Sequence, residues 1–308
     1  MPESKVLDLA ILGTGPGGLS AAIYAGVYKL DFAVIGKDYG MLANSHEIIN
    51  WPGTKSAPGL EIVQKIREHA VEVFGAKIVD DEIVSVKKLD GNYSLQTKNG
   101  KKLEAKALIV ATGLMNRKLG IGEEKFIGKG VSYCATCDAS FFKGKVIGVI
   151  GGNDSAAQAA LLSAEYAKKV YVFYRREALR CQPIYLPKLE AKKNIEIVLN
   201  SNVTAVKGDK KLESIELGIK GKKSEMKIDG LFPEIGAVPQ NILLQELGVK
   251  FDEAGFIIVD SLQKTSVEGV YAAGDITATH SGFKQAVVAA AEGAVAANSV
   301  FKFLKEKR

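Results

Sequence analysis

Two of the three cysteines in this 308-residue chain lie two residues apart, Cys134 and Cys137, in the stretch VSYCATCDASFF, with Asp138 directly after. A Cys-x-x-Cys pair can hold zinc, cycle between dithiol and disulfide, or simply pack. Zinc asks for four ligands, and the other candidates (Cys181, His46, His69 and His280) are distant and show no paired spacing. If a helix starts here, positions i and i+3 share a face and the two sulfurs can meet. A thiol at a helix N-terminus also has a lowered pKa. Redox exchange is the main expectation, with Asp138 placed to give or accept a proton. The plainer role for Asp138 is to stabilise a helix dipole. Cys181, beside QPIYLP, reads as a packing residue.

Two glycine loops flank this pair. GTGPGG places Gly13, Gly15 and Gly18 in G-x-G-x-x-G spacing after an apolar run and before an alanine-rich one. The three glycines suit a tight turn, a pyrophosphate close to the backbone, and close helix–strand packing. The helix start offers free N–H groups to phosphate. The acid that should end the second strand is absent, since Gly36-Lys37 stands there, which counts against NAD in this loop. Late in the chain, VYAAGDI runs a strand into Gly274-Asp275, and together with ALIVATG it points to FAD as the ligand of the first loop. The second loop, VIGGNDSAAQAA, has Gly151 first, Asn153 in place of the second glycine and Ala156 third. Asn can adopt positive φ, but its side chain takes up space where pyrophosphate should approach. Arg175 and Arg176 end the next strand and suit a 2′-phosphate, so this loop reads as a site for NADPH.

The elements that must position these groups follow a repeated order. Residues 6–13, 18–28 and 32–36 read as strand, helix and strand; residues 145–152, 155–167 and 169–176 repeat the pattern. Each is followed by a stretch of alternating strands, the first with DG and NG hairpin turns. The expected fold is therefore α/β, with two Rossmann-like domains, each built from a parallel sheet, helices and a β-meander. Residues 283–305 read as one long helix with an apolar stripe. The domain crossings fall near Leu114–Arg117 and Pro239–Gln245. The net charge of +6 comes from scattered basic residues without interleaved aromatics, which argues against a nucleic-acid platform. No apolar run reaches the roughly 18–20 residues of a membrane span. MPESKVLDLAILGTG reads as strand and turn rather than signal peptide, with cytoplasm as the default compartment.

Taken in order, GTGPGG, CATCD, the Gly-x-x-Asp-Ser-Ala loop, RRE, EIGAVP, VYAAGD and KQAVVAAAEGAVAA resemble the low-molecular-weight thioredoxin reductases over essentially the whole chain. The resemblance implies a homodimeric flavoenzyme. An FAD domain would comprise residues 1–114 and 245–308, with an NADPH domain carrying the cysteine pair inserted at 115–244. FAD contacts carry over to Gly13, Gly15, Pro16, Gly17, Gly18, Gly36, Leu42, Asn50, Ile83, Thr112, Gly113, Gly274, Asp275, Lys284, Gln285 and Ala286. NADP contacts carry over to Gly151, Asn153, Asp154, Ser155, Arg175, Arg176 and Arg180. In the family's chemistry Cys137 faces the flavin, Cys134 attacks the disulfide of thioredoxin or a glutaredoxin-like protein, and Asp138 handles the proton. The family also alternates between two domain orientations. Met41, Asn153, Tyr174 and Gln158 depart from the family pattern, and three of these bear on the pyridine-nucleotide site. The same disulfide reductase fed by ferredoxin or a reduced deazaflavin is the alternative donor reading. A ferredoxin–NADP reductase of the same fold would lack the cysteine pair.

Overall fold

The computed structural model describes residues 6–219, 221–280 and 283–307. The stretch Met1–Lys5, joined above to the first strand and turn, lies outside the described residues. The chain forms two compact units. Unit 1 is Met1–Ala43, Ile48–Met115 and Val238–Arg308; unit 2 is Asn44–Glu47 and Asn116–Ala237.

Unit 1 begins with β1 (Leu7–Leu12), α1 (Pro16–Val27) and β2 (Phe32–Ile35), followed by α2 (Gly59–Glu68) and β3 (Lys77–Val79). Next come β4 (Ile83–Lys88), β5 (Tyr93–Thr97) and β6 (Lys102–Val110). The sheet order is β3-β2-β1-β6-β5-β4. Parallel pairing joins β3, β2, β1 and β6, and antiparallel pairing joins β6, β5 and β4. The meander is therefore not a separate sheet here, because β6 belongs to both parts. Alternate residues over 9–12 of β1 enter opposite cores: Ala10 and Leu12 on one face, Leu9 and Ile11 on the other. A strand buried on both faces reads as a near-continuous apolar run, as the last four residues of LDLAIL do.

The chain crosses on β7 (Leu114–Asn116) into unit 2. There α3 (Ala135–Asp138), β8 (Val146–Ile150), α4 (Asp154–Tyr166), β9 (Lys169–Tyr174), α5 (Leu186–Glu190) and β10 (Ile195–Leu199) follow. An antiparallel sheet of β11 (Ser201–Lys207), β12 (Ser214–Ile219) and β13 (Lys222–Lys227) precedes β14 (Gly230–Pro233) and β15 (Ala237–Pro239). The parallel sheet has order β10-β9-β8-β14. The loops after β8, β9 and β14 thus share one end of the sheet, where ligands bind in such folds.

The second divide lies at 237/238 rather than at 244/245. Leu244 and Leu247 are buried in a unit 1 core with Ile83 and Val86, and this burial draws the segment out of the middle domain. The chain then adds β16 (Val270–Ala272), parallel to the end of β6, and α6 (Ala286–Glu306). At 21 residues and mean hydropathy 1.4, α6 is long and apolar enough to cross a membrane, which corrects the expectation that no such run exists. Its Ala296, Ala297, Val300 and Leu304 lie in the unit 1 core with Ala21 and Ala22 of α1, which is the packing of a core helix.

The α1–α6 contact has no room for a side chain. A Cβ on Gly293 would meet the carbonyl oxygen of Gly17 at 2.0 Å. Gly293→Ala must push α6 off α1, so we expect unit 1 to lose about 1–3 kcal/mol, the usual cost of overpacking, in urea denaturation. Unchanged stability would show that the helices can slide apart freely.

Candidate active site

In unit 1 the residues expected at a flavin gather at the ends of β1, β6 and β16. Gly13 turns the chain at φ +122°, and a Cβ there would meet Ala111 O at 2.1 Å. α1 then starts with Gly15 as N-cap and Pro16 at its first turn; no side chain caps it. Proline at this place forfeits only an N–H that has no helical partner. A Cβ on Gly15 would meet nothing within 4 Å, so space stands open over the helix start. Gly18 has no such space, since a Cβ would meet Gly13 O at 2.0 Å. Gly36 lies against Thr14, whose side chain would meet a Cβ there at 2.5 Å. Leu42 sits on a 3-10 turn, Met41–Asn44.

Several other expected residues fall into this unit with defined partners. Thr112 Oγ1 donates to Gln240 O at 3.1 Å, and Gly113 has φ +64°. Asn50 Nδ2 donates to Gln285 Oε1 at 2.9 Å, at the uncapped start of α6, where Ala286 follows. Lys284 Nζ donates to Thr277 O and Thr279 O at 2.6 and 3.0 Å, so its ammonium braces a loop. Ile83 is different: its side chain is buried in the core, leaving only backbone to offer a ligand. Burial raises the Asp275 pKa, against the pull of Lys284.

In unit 2 the second loop repeats the first in its backbone. Gly151 has φ +150°, and a Cβ there would meet Glu234 O at 2.2 Å. Asn153 takes the N-cap place at φ −95°, an ordinary extended value, so it is not there to supply positive φ. Its Oδ1 accepts the Ala156 N–H at 3.0 Å. Asp154 accepts Gln182 N and Nε2 at 2.6 and 2.7 Å, and Ser155 lies in the same first turn. Arg175, Arg176 and Arg180 are exposed after β9. Gln158 Nε2 donates to Tyr185 Oη at 2.7 Å. Cys181 is a core residue whose thiol pKa is pushed up by burial.

Cys134 and Cys137 are joined as a disulfide, with Cα atoms 5.3 Å apart. Cys134 is the N-cap of α3, and its Sγ accepts the Cys137 N–H at 3.2 Å. Cys137 is exposed, while Cys134 and Asp138 are half-buried.

Two carboxylates essential to this geometry escaped the sequence reading. Glu123 has no exposed surface and accepts N–H bonds from Leu119, Gly120 and Ile121 at 2.5, 3.2 and 3.0 Å. It also accepts the hydroxyl of Tyr133, the residue before Cys134, at 2.9 Å. Burial pushes the Glu123 pKa up, but these donors outweigh burial and hold it below the usual value. Burial and the same carboxylate hold the Tyr133 phenol well above its ordinary pKa. In unit 1, buried Glu292 accepts Gly274 N at 2.7 Å and Thr277 Oγ1 at 3.2 Å, fixing the turn that presents Asp275. The available signal was a lone acid inside the alanine-rich run AAAEGAVAA.

Glu123→Gln leaves amide donors unmatched, and we expect it to cost about 2 kcal/mol at neutral pH. Because the folded pKa is depressed, this contribution is complete above the ordinary carboxylate pKa of 4.5 and fades as pH falls through the lower folded value. Denaturation of both proteins across pH 3–7 should show their stabilities converging in acid; a constant gap would overturn the assignment.

The chain matches the family model described as pyridine nucleotide-disulphide oxidoreductase over residues 7–293. It is 39% identical over 313 residues to the thioredoxin reductase of Helicobacter pylori, covering 97% of this chain and 99% of that one. Its structure is similar to Lactococcus lactis thioredoxin reductase, with TM-score 0.92 at 32% identity, covering 97% of this chain and 99% of the other. It is also similar to T. acidophilum thioredoxin reductase, with TM-score 0.90 at 37% identity over 96% and 98% of the two chains. Such likeness across both units carries flavin and pyridine-nucleotide binding as family properties. With a disulfide at the start of a helix, lying in chain order between two glycine loops, the chain belongs to the thioredoxin reductases of the pyridine nucleotide-disulphide oxidoreductase family.

Proposed function

We propose that this chain is an FAD-dependent thioredoxin reductase supplied with electrons by NADPH. The observation that carries the reading is the Cys134–Cys137 disulfide capping a helix in the unit that bears the second nucleotide loop. FAD fits unit 1 on two grounds. Open space lies over the uncapped start of α1, ready for a pyrophosphate. Asp275, with its pKa raised by burial, lies where ribityl hydroxyls would donate to it. Gly13, Gly15, Gly17 and Gly18 would hold the pyrophosphate, and the α6 start at Gln285–Ala286 would favour negative charge on a reduced ring. When bound, FAD supplies the two-electron link between a hydride donor and a disulfide.

The chain's own residues supply the exchange chemistry. Exposure alone favours Cys137 as the sulfur that meets the partner, but the hydrogen bond favours Cys134. The Cys137 N–H directed at Cys134 Sγ stabilises a thiolate there once the pair is reduced. That thiolate attacks the partner disulfide, forms a mixed disulfide and releases one partner thiolate. Cys137 then attacks Cys134 Sγ, which restores the internal disulfide and releases the second partner thiolate. Asp138, next in sequence, is placed to accept and return the proton. Phe141, 73% exposed four residues beyond Cys137, offers an apolar anchor to a small redox protein such as thioredoxin. The homodimer and the cytoplasmic compartment rest on the family resemblance.

Cys137→Ser should retain the yellow flavin and lose turnover. Its Cys134 should be trapped as a stable mixed disulfide by a thioredoxin that keeps only its attacked cysteine, activated beforehand as a mixed disulfide with a small aromatic thiol. Trapping by Cys134→Ser instead would reverse the two roles. Arg175→Ala with Arg176→Ala should weaken NADPH at least about tenfold while sparing NADH, because charge-assisted contacts to the 2′-phosphate are lost. Equal loss for both would remove the 2′-phosphate assignment. Anaerobic mixing of the oxidised enzyme with NADPH, NADH, reduced ferredoxin or reduced deazaflavin identifies the donor. NADPH should bleach the flavin fastest, and bleaching only by another donor would displace it.

A further inference from the structure

The two glycine loops differ by one side chain. Their N-caps share a backbone conformation: φ −80°, ψ −177° at Gly15, and φ −95°, ψ −176° at Asn153. Over Gly15 there is open space. Over the second helix the space belongs to the Asn153 carboxamide, whose Oδ1 holds the Ala156 N–H. The N–H groups of a helix's first turn are the donors a pyrophosphate uses.

Three neighbours close the same loop. Asp154 brings a carboxylate to the first turn of α4 and is pinned there by Gln182, whereas α1 has no acid in its first turn. Arg180 N donates to Gly152 O at 2.6 Å, laying the following segment against the loop. The ring of Tyr174 covers Gly152, where a Cβ would come within 2.6 Å of its carbons. The Tyr174 hydroxyl is itself buried with no hydrogen-bond partner. A buried hydroxyl left unmatched on a nucleotide loop points to a ligand oxygen that completes it.

We propose that Asn153 is a built-in competitor for the pyrophosphate of the incoming pyridine dinucleotide. Its carboxamide holds the Ala156 N–H in the free enzyme and must rotate away before the nucleotide docks. Affinity then rests on the exposed arginines after β9, which reach only the 2′-phosphate end. Asn153 is thus an affinity determinant of the donor site: it weakens the contacts common to NADP and NAD by the same factor, and the 2′-phosphate alone decides between them. The inference rests on the reading of the second loop as the donor site.

The test is calorimetric titration of NADP⁺ and NAD⁺ into the oxidised, FAD-loaded enzyme, where neither nucleotide reduces the flavin. Displacing a helix cap costs about fivefold in an equilibrium constant, so Asn153→Gly should bind both nucleotides at least about fivefold tighter. Asn153→Ser keeps a cap oxygen and should stay near wild type. Glycine is a tolerated N-cap, and the flavin spectrum and melting temperature verify that the variant is folded. If wild type binds NADP⁺ as tightly as Asn153→Gly, the proposal is wrong and the donor reading stands. If no form binds NADP⁺, both fall together.

Discussion

Unit 1 depends on a contact made without side chains. Gly293 of α6 lies against the carbonyl of Gly17 in α1, while Gly17 itself has Ala289 O and Ala273 O near its own Cβ position at 3.3 and 3.5 Å. These approaches bring three distant segments to one place: the first glycine loop, the end of β16 with Gly274-Asp275, and the start of α6. Main chains can come this close only where no Cβ intervenes. The convergence of the candidate flavin residues therefore follows from glycine placement before any polar group contributes.

Each unit adds a buried carboxylate that serves the backbone. Glu292 answers the amide of Gly274, and Glu123 answers the amides of Leu119, Gly120 and Ile121. An ion in such a place is tolerable only when several donors replace its water. Each also stands one step behind a group with chemistry to perform. Glu292 fixes the turn that carries Asp275, and Glu123 holds Tyr133, which precedes Cys134 in the chain. Neither carboxylate needs to touch a ligand to set where a ligand is met.

How far the sequence speaks depends on whether the cause is local. GTGPGG and VIGG were legible because a positive φ and a missing Cβ are local requirements, and both first glycines have them at φ +122° and +150°. LDLAIL and KVYVFY were legible because burial on both faces leaves a near-continuous apolar run. The cysteine pair was legible from its spacing at a helix start. Glu123 and Glu292 were not, since their partners are backbone amides that any residue type can supply. Where the second crossing falls within and around Pro239–Gln245 was not legible, because the burial of Leu244 and Leu247 is a tertiary event. Asn153 was legible as a side chain in the pyrophosphate's space, but its tolerance of positive φ is not used, since its backbone is extended and its amide caps the helix.

The contrast between the loops suits two ligands with different residence. On the proposed assignment the first loop holds the flavin, a guest that stays through every turnover, so its donors and space can be left open to be satisfied once. A pyridine nucleotide must leave after each hydride is delivered. Tight binding of its pyrophosphate stabilises bound substrate and transition state alike, which lowers KM without raising kcat. A loop that satisfies its own N–H when empty removes part of that uniform binding and keeps the free helix end intact. On the proposed assignment, discrimination falls to Arg175 and Arg176, whose planar, permanently charged forks would match a phosphate in a way that a ribose hydroxyl cannot imitate. Weakening a contact common to both nucleotides leaves their ratio unchanged and speeds the release of either, and in the proposed scheme that release turns on the one cap residue by which the second loop departs from the first.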